Sequence, residues 1–554
     1  MIIRYPIWVV RNLFRRLRKP PEYVTFMLSG EYSEYPQPPG NLVMRRIRPP
    51  KISLLELGEQ FRLVAGDPRV QGVVLHLRPL DMAPAAIESL RDLVVELRES
   101  GKRVVAWATF YASSNYLVAC AADEILMQPS GEINALGMGR TYSYLAKALK
   151  KVGMEGDVLP ISPYKSAGDM FSRKDMSKEV RKMANWLMDS AYEERLRAIG
   201  EGRGIDVEAA RELVNQTPMP DNKALELNGV DALIGEEDLP KHLGTDAKPA
   251  RLATWEAAQK TLRLPGPVRG GRYVAVIPIE GTIMDGNSGR PPLKPPIDLP
   301  FLTETRAGDL TVVQAARKAL RDKRAAGVVV YVNSRGGSAT SSEAMRAALE
   351  KIDESKPLIV SMGPVAASGG YWVSTPARHI FAQPSTVTGS IGVILYKIIT
   401  HDLLDRLFIG REKILRGEHT DIFGVESRFT KAERQMLWGS ITRIYDLFLD
   451  RVMASRGMTR EQVDELGGGR VWTGRQAFDN GLVDEIGGLG AAIAKARELA
   501  GLSPKAPARL VTVGKAQLVP ASQPAAMLEY VMEGARFLQG TRPLCISPLT
   551  LDKA

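Results

Sequence analysis

The sequence predicts an α/β protein built from two tandem copies of one domain, each with a parallel sheet and crossover helices. Three observations predict this fold class: an internal repeat of constant spacing, short apolar segments that alternate with amphipathic helices, and a length of 554 residues, which exceeds one ordinary core. The composition, 44% hydrophobic and 25% charged, is typical of a globular chain rather than of a disordered or membrane-spanning one.

The repeat has a constant spacing of 255 residues. Residues 104–138 align without a gap on residues 359–393, with 11 identities in 35 positions, where chance would give about two. The apolar segment GVVLHL at 72–77 lies the same distance before GVVVYV at 327–332. Two long copies of one domain fit this pattern better than a short-period solenoid does.

Within each copy, the apolar pattern predicts strands joined by helices. In the second copy, the short apolar runs at 327–332 and 358–361 are typical of buried strands. Between them, Ser342 is a plausible helix cap, and the helix that follows carries one apolar stripe, formed by Met345, Ala348, Leu349 and Ile352. A strand, a crossover helix and a second strand indicate a parallel sheet.

These patterns divide the chain into five predicted segments. The Gly- and Pro-containing stretch RLPGPVRGGR marks the linker, and the regular pattern fades after about residue 504. The segments are a basic amphipathic start at 1–21, a first repeat at 22–244, a linker at 245–271, a second repeat at 272–504 and a tail at 505–554.

The basic start predicts contact with a membrane surface. It carries six Lys or Arg and no acid, and Arg4 and Arg11 interrupt its apolar run, which is too short for the roughly 20 residues of a membrane span. Helical spacing places four apolar residues on one face, with Trp8 suited to the lipid headgroup level: Val10, Leu13, Phe14 and Leu17. The alternative is a solvated arm packed on its own domain. Nucleic acid is not expected as a partner, because the basic residues are not interleaved with stacking aromatics.

The cysteine content excludes two classes of protein. Cys120 and Cys545 are the only cysteines, too few for a disulfide framework. No Cys/His cluster has metal-ligand spacing, so the sequence predicts no metal site.

The second copy alone combines the features of an acyl-transfer site. Ser368 is followed by two glycines, and the earlier pair Gly336 and Gly337 can turn peptide N–H groups outward to stabilise an oxyanion. In the first copy, Asp81 and Met82 replace that glycine pair. The alternative is that the serine and its glycines form a tight packing contact.

A serine nucleophile needs a base. None of the five histidines has a recognised triad spacing: His76, His242, His379, His401 and His419. A lysine can serve if burial lowers its pKa. The repeat offers Lys165, because the position 255 residues later is Thr420, so one copy keeps the glycines and the other the amine. The alternative for Lys165 is a solvated surface lysine.

The motifs NSRGGS, VAASGGYW, QPSTVTGSIGV, PYKSAGDMFSRKDMS and VWTGRQAFDNGLVD resemble those of the signal peptide peptidase A family, also called protease IV, in its long tandem-repeat form. The resemblance covers most of residues 22–500. It implies two ClpP/crotonase-like domains and a membrane-associated serine endopeptidase without cofactor. Its dyad would be Ser368 as nucleophile and Lys165 as general base. Ser390 would hydrogen-bond the amine, and Gly337, Gly369 or Gly336 would supply the oxyanion donors.

The same resemblance implies a homotetramer at the bacterial cytoplasmic (inner) membrane that degrades cleaved signal peptides, on a side of the membrane that the residues leave open. Two features depart from the family pattern: Arg335 stands where the family has proline, and the start offers an amphipathic segment in place of a transmembrane one.

Two other functions fit a fold of this kind. A crotonase-like acyl-CoA enzyme would use the glycines to hold a thioester oxyanion, but the chain has no evident adenine-binding feature and has a serine where such enzymes need an acid. In an inactive membrane scaffold, Arg335 would be a sign that the active site has decayed.

Overall fold

The computed structural model describes residues 4–37, 52–266, 271–291, 304–513, 517–518, 530 and 543–547. Residues 1–3 of the predicted basic start, 267–270 of the predicted linker and most of the predicted tail lie outside the described residues. The predicted segment boundaries therefore stay predictions.

The first half of the chain forms a six-stranded sheet in which every pairing is parallel. Its strands are, in spatial order, Ala232–Leu233, Glu124–Met127, Arg103–Ala108, Gly72–Leu80, Tyr23–Gly30 and Leu252–Thr254. A small antiparallel pair, Glu132–Ile133 with Met219–Pro220, lies beside it.

The second half repeats this sheet with strands that begin 250–256 residues later. Its path is Val471–Thr473, Val387–Gly389, Leu358–Ala367, Ala325–Ser334, Tyr273–Glu280 and Ala508–Leu510, with His379–Ala382 and Glu485–Ile486 on a side branch. All pairings are parallel except the one between Val387–Gly389 and Val471–Thr473. Two parallel sheets with crossover helices confirm the predicted α/β class.

Helices cover both faces of the second sheet, as parallel sheets require. Along strand Ala325–Ser334, alternate side chains pack with helix Ala339–Asp353, and the others pack with helix Leu489–Leu499. The predicted cap of the first of these helices was misplaced: the Ser338 side chain caps it, and Ser342 lies one turn inside.

The remaining helices follow the same alternation. In the first half they are Arg4–Leu17, Leu54–Ala65, Pro84–Glu99, Ser113–Ala119, Ala146–Val152, Asp169–Ser172, Lys178–Arg203, Val207–Asn215, Asp221–Glu226, Leu239–His242 and Trp255–Ala258, with a 3-10 turn at Glu236–Asp238. In the second half they are Asp309–Arg321, Gly369–Ser374, His401–Arg406, Lys431–Arg456, Arg460–Leu466 and Gly474–Asp479.

A third sheet joins the two halves. Strand Glu155–Pro160 of the first half, here called the bridging strand, pairs antiparallel with Ile394–Ile399 of the second half over six residue pairs. The other strands are Gln517–Leu518, Gly289–Arg290, Arg306–Gly308, Thr282–Met284, Gly336–Ser338 and Leu544–Ile546. We call Gly336–Ser338 the glycine strand and Leu544–Ile546 the tail strand. The bridging strand therefore fixes the position of one repeat against the other.

The amphipathic helix Arg4–Leu17 packs on the protein through its polar side. Asn12 is buried and exchanges two hydrogen bonds with the backbone of Leu264, at 3.0 and 2.8 Å. The Trp8 indole N–H donates to the Pro265 carbonyl at 2.8 Å, so the protein orients this ring, and its predicted position at the headgroup level stays a prediction.

The apolar side of this helix faces outward. Its exposed side chains are Val9, Val10, Leu13, Phe14 and Leu17, of which Leu17 is 78% exposed. Among the described residues, no helix combines the length and the apolar character that a membrane crossing needs.

Candidate active site

Ser368 lies at a sharp turn between a strand and a helix. It directly follows strand Leu358–Ala367 and precedes helix Gly369–Ser374, and it is fully buried. Its backbone adopts φ 57° and ψ −114°, which is rare for a residue with a side chain. Gly370 is needed after it, because a Cβ there would lie 2.6 Å from the Ser334 carbonyl oxygen.

The bridging strand carries Lys165 across to this turn. The strand ends at Pro160, and Ile161 continues the pairing by donating its N–H to the Val393 carbonyl at 3.0 Å. The chain then turns, and Lys165 enters the second half with its side chain fully buried. The alternative of a solvated surface lysine is therefore wrong.

Three oxygen atoms surround the Lys165 amine. Nζ lies 2.7 Å from Ser368 Oγ, 2.8 Å from the Ser390 carbonyl oxygen and 3.0 Å from Ser390 Oγ. A neutral amine has two hydrogens and one lone pair. Two acceptors on Ser390 and one hydroxyl on Ser368 match that number, so the surroundings suit an uncharged amine.

Burial lowers the pKa of Lys165 from 10.5 to about 7. The effect of burial outweighs the small opposing influence of Cys545. An amine with this pKa is about half uncharged at neutral pH and can then accept a proton.

Ser390 is held by the backbone around it. Its own φ is 50°, and its N–H donates to the Arg470 carbonyl at 2.6 Å. Both of its oxygens can therefore converge on the one amine. The structure thus brings together the three side chains named from the sequence for this site.

The predicted oxyanion glycines lie beside Ser368. A Cβ built on Gly369 would lie 3.2 Å from the Gly337 nitrogen, which makes these two residues neighbours. Gly336 differs from them because its N–H donates to Ser334 Oγ at 3.1 Å and is already engaged. Gly336 and Gly337 adopt φ values of 98° and 157°, which side chains rarely allow.

Arg335, which stands where the family has proline, is held by two contacts. Its guanidinium lies 3.5 Å from Glu304 Oε1, and its carbonyl oxygen accepts from the Ser547 N–H at 2.7 Å.

The equivalent position in the first half has lost this chemistry. Ser113 aligns with Ser368, but its Oγ accepts a hydrogen bond from Arg195 Nη1 at 2.5 Å. Burial lowers the pKa of Arg195 to about 10, so the guanidinium stays charged at neutral pH and cannot take a proton.

Each of the five histidines lies near a carboxylate. Their partners are Glu236 for His76, Glu124 for His242, Glu485 for His379, Asp405 for His401 and Glu418 for His419, at 3.7, 2.7, 3.0, 3.2 and 4.0 Å. His401, Asp402 and Asp405 form the one group in the described residues whose ligand atoms could meet at a metal ion, and all three are exposed.

Sequence reasoning missed two neighbours of the site. A Cβ on Gly469 would lie 2.7 Å from Lys165 Cα, so this glycine allows the lysine backbone to approach. The run Gly467–Gly469 was a visible signal, but nothing in the sequence linked it to Lys165. The other neighbour is Cys545, which is fully buried and pairs with Gly337.

Several known proteins are similar to this chain over most of its length. The sequence profile of peptidase family S49 matches residues 96–249 and again residues 350–503. The chain is 31% identical to the chloroplastic serine protease SPPA of Arabidopsis thaliana, over 87% of this chain and 70% of that protein. It is 32% identical to Protease 4 of Haemophilus influenzae (81% and 74% covered) and 31% identical to Protease 4 of Salmonella typhi (81% and 72%). Among solved structures, a ClpP1 mutant of Listeria monocytogenes overlaps 38% of this chain and 90% of its own with a TM-score of 0.23 and 14% identity, a likeness too distant to support a conclusion.

Proposed function

The chain belongs to peptidase family S49 and is a serine peptidase of the Protease 4 type, and from this premise we propose that it cleaves extended peptides with a Ser368/Lys165 dyad. The two family matches confirm the resemblance stated from the sequence and the tandem organisation. The observation that carries the dyad is the 2.7 Å contact between two fully buried groups, Lys165 Nζ and Ser368 Oγ.

In the proposed reaction, the lone pair of the neutral Lys165 amine accepts the Ser368 hydroxyl proton while Oγ attacks the substrate carbonyl carbon. Ser390 accepts both amine hydrogens and so directs the lone pair at Ser368. The N–H groups of Gly337 and Gly369 stabilise the oxyanion. The protonated amine then gives its proton to the leaving nitrogen, and the peptide bond breaks. Water, deprotonated by the same amine, releases the acyl group and restores the serine.

Extended peptides are the proposed substrates. Residues 336–338 form a strand, and an added peptide strand would gain backbone hydrogen bonds from it without regard to side-chain identity. Within this class, the family resemblance implies cleaved signal peptides as substrates. The proposed homotetramer also rests on the family resemblance.

We expect a fluorophosphonate probe to label Ser368, at a rate that rises with pH around a midpoint near 7. The pKa of Lys165 is lowered from 10.5, so the amine is neutral and active as a base above pH 7 and protonated below it. Below the midpoint the rate should fall about tenfold per pH unit. Rates are measured by in-gel fluorescence, and the labelled peptide is mapped by mass spectrometry.

Ser368→Ala is the matched control and should remain unlabelled. Labelling at another serine, or a midpoint near 10, would contradict the dyad. Absence of label at every pH would favour the inactive scaffold, and co-purified coenzyme A would favour the acyl-CoA enzyme.

We further propose that helix Arg4–Leu17 holds the protein on an anionic membrane surface. Its polar side is engaged by the protein, so only the apolar side is free to enter lipid. Exposed Arg16, Arg18 and Lys19 flank that side and would meet anionic headgroups. The Protease 4 relatives are bacterial, which agrees with the inner membrane proposed from the resemblance.

The double variant Leu13→Asp/Phe14→Asp should bind phosphatidylglycerol vesicles at least tenfold more weakly in a flotation assay. Burying each of these side chains is worth about 1.5–3 kcal/mol, and about 1.4 kcal/mol corresponds to a factor of ten. Leu310→Asp is a suitable control, since Leu310 is 52% exposed on another helix. Equal vesicle binding by all three proteins would rule out this role for the helix.

A further inference from the structure

The chain's own tail strand lies in the candidate active site. Leu544–Ile546 pairs antiparallel with the glycine strand, with Cys545 opposite Gly337. On its other edge, Leu544 pairs with Ile394, next to the bridging strand. The tail strand therefore fills the gap between the two strands that flank Ser368 and Lys165.

Its middle residue meets the reacting groups. Cys545 is fully buried, and burial raises the pKa of its thiol against the opposing influence of the nearby Lys165 amine and Ser368 hydroxyl. A Cβ on Gly336 would lie 1.9 Å from the Cys545 carbonyl oxygen and 2.6 Å from the Gly369 nitrogen, so this oxygen lies beside one of the proposed oxyanion donors. A peptide substrate has to place the carbonyl of its scissile bond beside these same glycines, so the Cys545 backbone lies where a substrate backbone would bind.

The neighbouring tail residues point the other way, as alternate residues of a strand must. Leu544 and Ile546 are buried against Ile394 and Tyr396, with Val158 of the bridging strand beside them. The tail strand is thus held in two ways. The glycine strand pairs with its backbone, and side chains from both halves of the protein pack against Leu544 and Ile546.

We propose that residues 543–547 are an internal ligand of the active site, bound like a peptide substrate and competing with peptides for the glycine strand. The expected consequence is slow turnover while the tail strand is bound, and this consequence rests on the proposed function. The occupancy itself rests only on the pairing and burial of these residues.

The test is a chain that ends at Arg542, compared with the full chain in its rate of fluorophosphonate labelling at Ser368. Removal of the tail strand should raise the rate at least tenfold. The synthetic peptide PLCIS, the sequence of 543–547, should slow the shortened chain again, whereas a scrambled peptide should not. Equal rates in the two chains, with no effect of the peptide, would overturn the proposal.

A second variant covers the case in which the shortened chain does not fold. Leu544→Asp/Ile546→Asp places two charges in the apolar positions and should release the tail strand, whereas Ile546→Val should keep the slow rate. Hydrogen exchange separates this inference from the proposed function. If no variant is labelled, the serine chemistry fails. Faster exchange of the Gly337 and Ser338 amides in the aspartate variant would still support the bound tail, and unchanged exchange would overturn it.

Discussion

Lys165→Met is expected to reduce peptide hydrolysis by about 10³-fold or more while the protein stays folded. A general base contributes about 10²- to 10⁴-fold by itself, and the serine hydroxyl is a weak nucleophile without one. Methionine is close in length to lysine, so it fills the buried space without supplying an amine. The measurement is kcat/KM for an unstructured peptide, with folding checked by circular dichroism.

The chain offers a matched control for this substitution. Lys102 is also buried, and its Nζ donates to the carbonyls of Asp67 and Val70 at 2.8 and 2.7 Å. Lys102→Met should cost stability, because two carbonyls each lose a hydrogen bond, but should leave kcat/KM of the folded protein near the wild-type value. Ser368→Ala should match Lys165→Met, and the double variant should be no worse than either, because the two groups act as a unit. Substantial activity in purified Lys165→Met protein would refute the lysine as base.

Gly469→Ala is expected to lower kcat/KM by about 10²-fold, although Gly469 has no reacting atom. Its Cβ would lie 2.7 Å from both Cα and Cβ of Lys165, and its φ is 89°. The lysine backbone must move to relieve this contact, and a displacement of about 1 Å at a catalytic group costs about this much. The expected loss lies mainly in kcat, since peptide binding to the glycine strand is untouched.

Gly468→Ala controls for the backbone strain. Its φ is 62°, but its nearest neighbours are the side-chain atoms Arg470 Nη1 and Ser162 Oγ, at 3.2 and 3.3 Å, which can give way. Both variants should lose stability in thermal melts, Gly469→Ala more because it also displaces the Lys165 backbone, while only Gly469→Ala loses activity. Equal activity in both would show that Lys165 does not depend on Gly469 for its position.

The sequence predicted the fold and the two reacting residues where the internal repeat and the chemical motifs fall at the same positions. The offset of 255 residues revealed two sheets, and the loss of glycines in one copy and of lysine in the other pointed to Ser368 and Lys165. The resemblance supplied Ser390, which no periodicity singled out. These positions could be predicted because each depends on a short local motif.

The parts that could not be predicted depend on contacts between distant segments. The tail strand reaches the glycine strand from more than 200 residues away, and its three apolar residues have no pattern that names a partner. Helix Arg4–Leu17 was predicted correctly as amphipathic. The side that packs on the protein depends on Asn12 meeting Leu264, a pairing that the helix alone does not encode.

The bridging strand has an evolutionary consequence. The first repeat lacks the glycine pair and the second repeat lacks the lysine. The antiparallel pairing of Glu155–Pro160 with Ile394–Ile399 holds the two repeats in register. Under the proposed dyad, deletion of either repeat would remove one of the two reacting groups, so the two repeats would have to be inherited together.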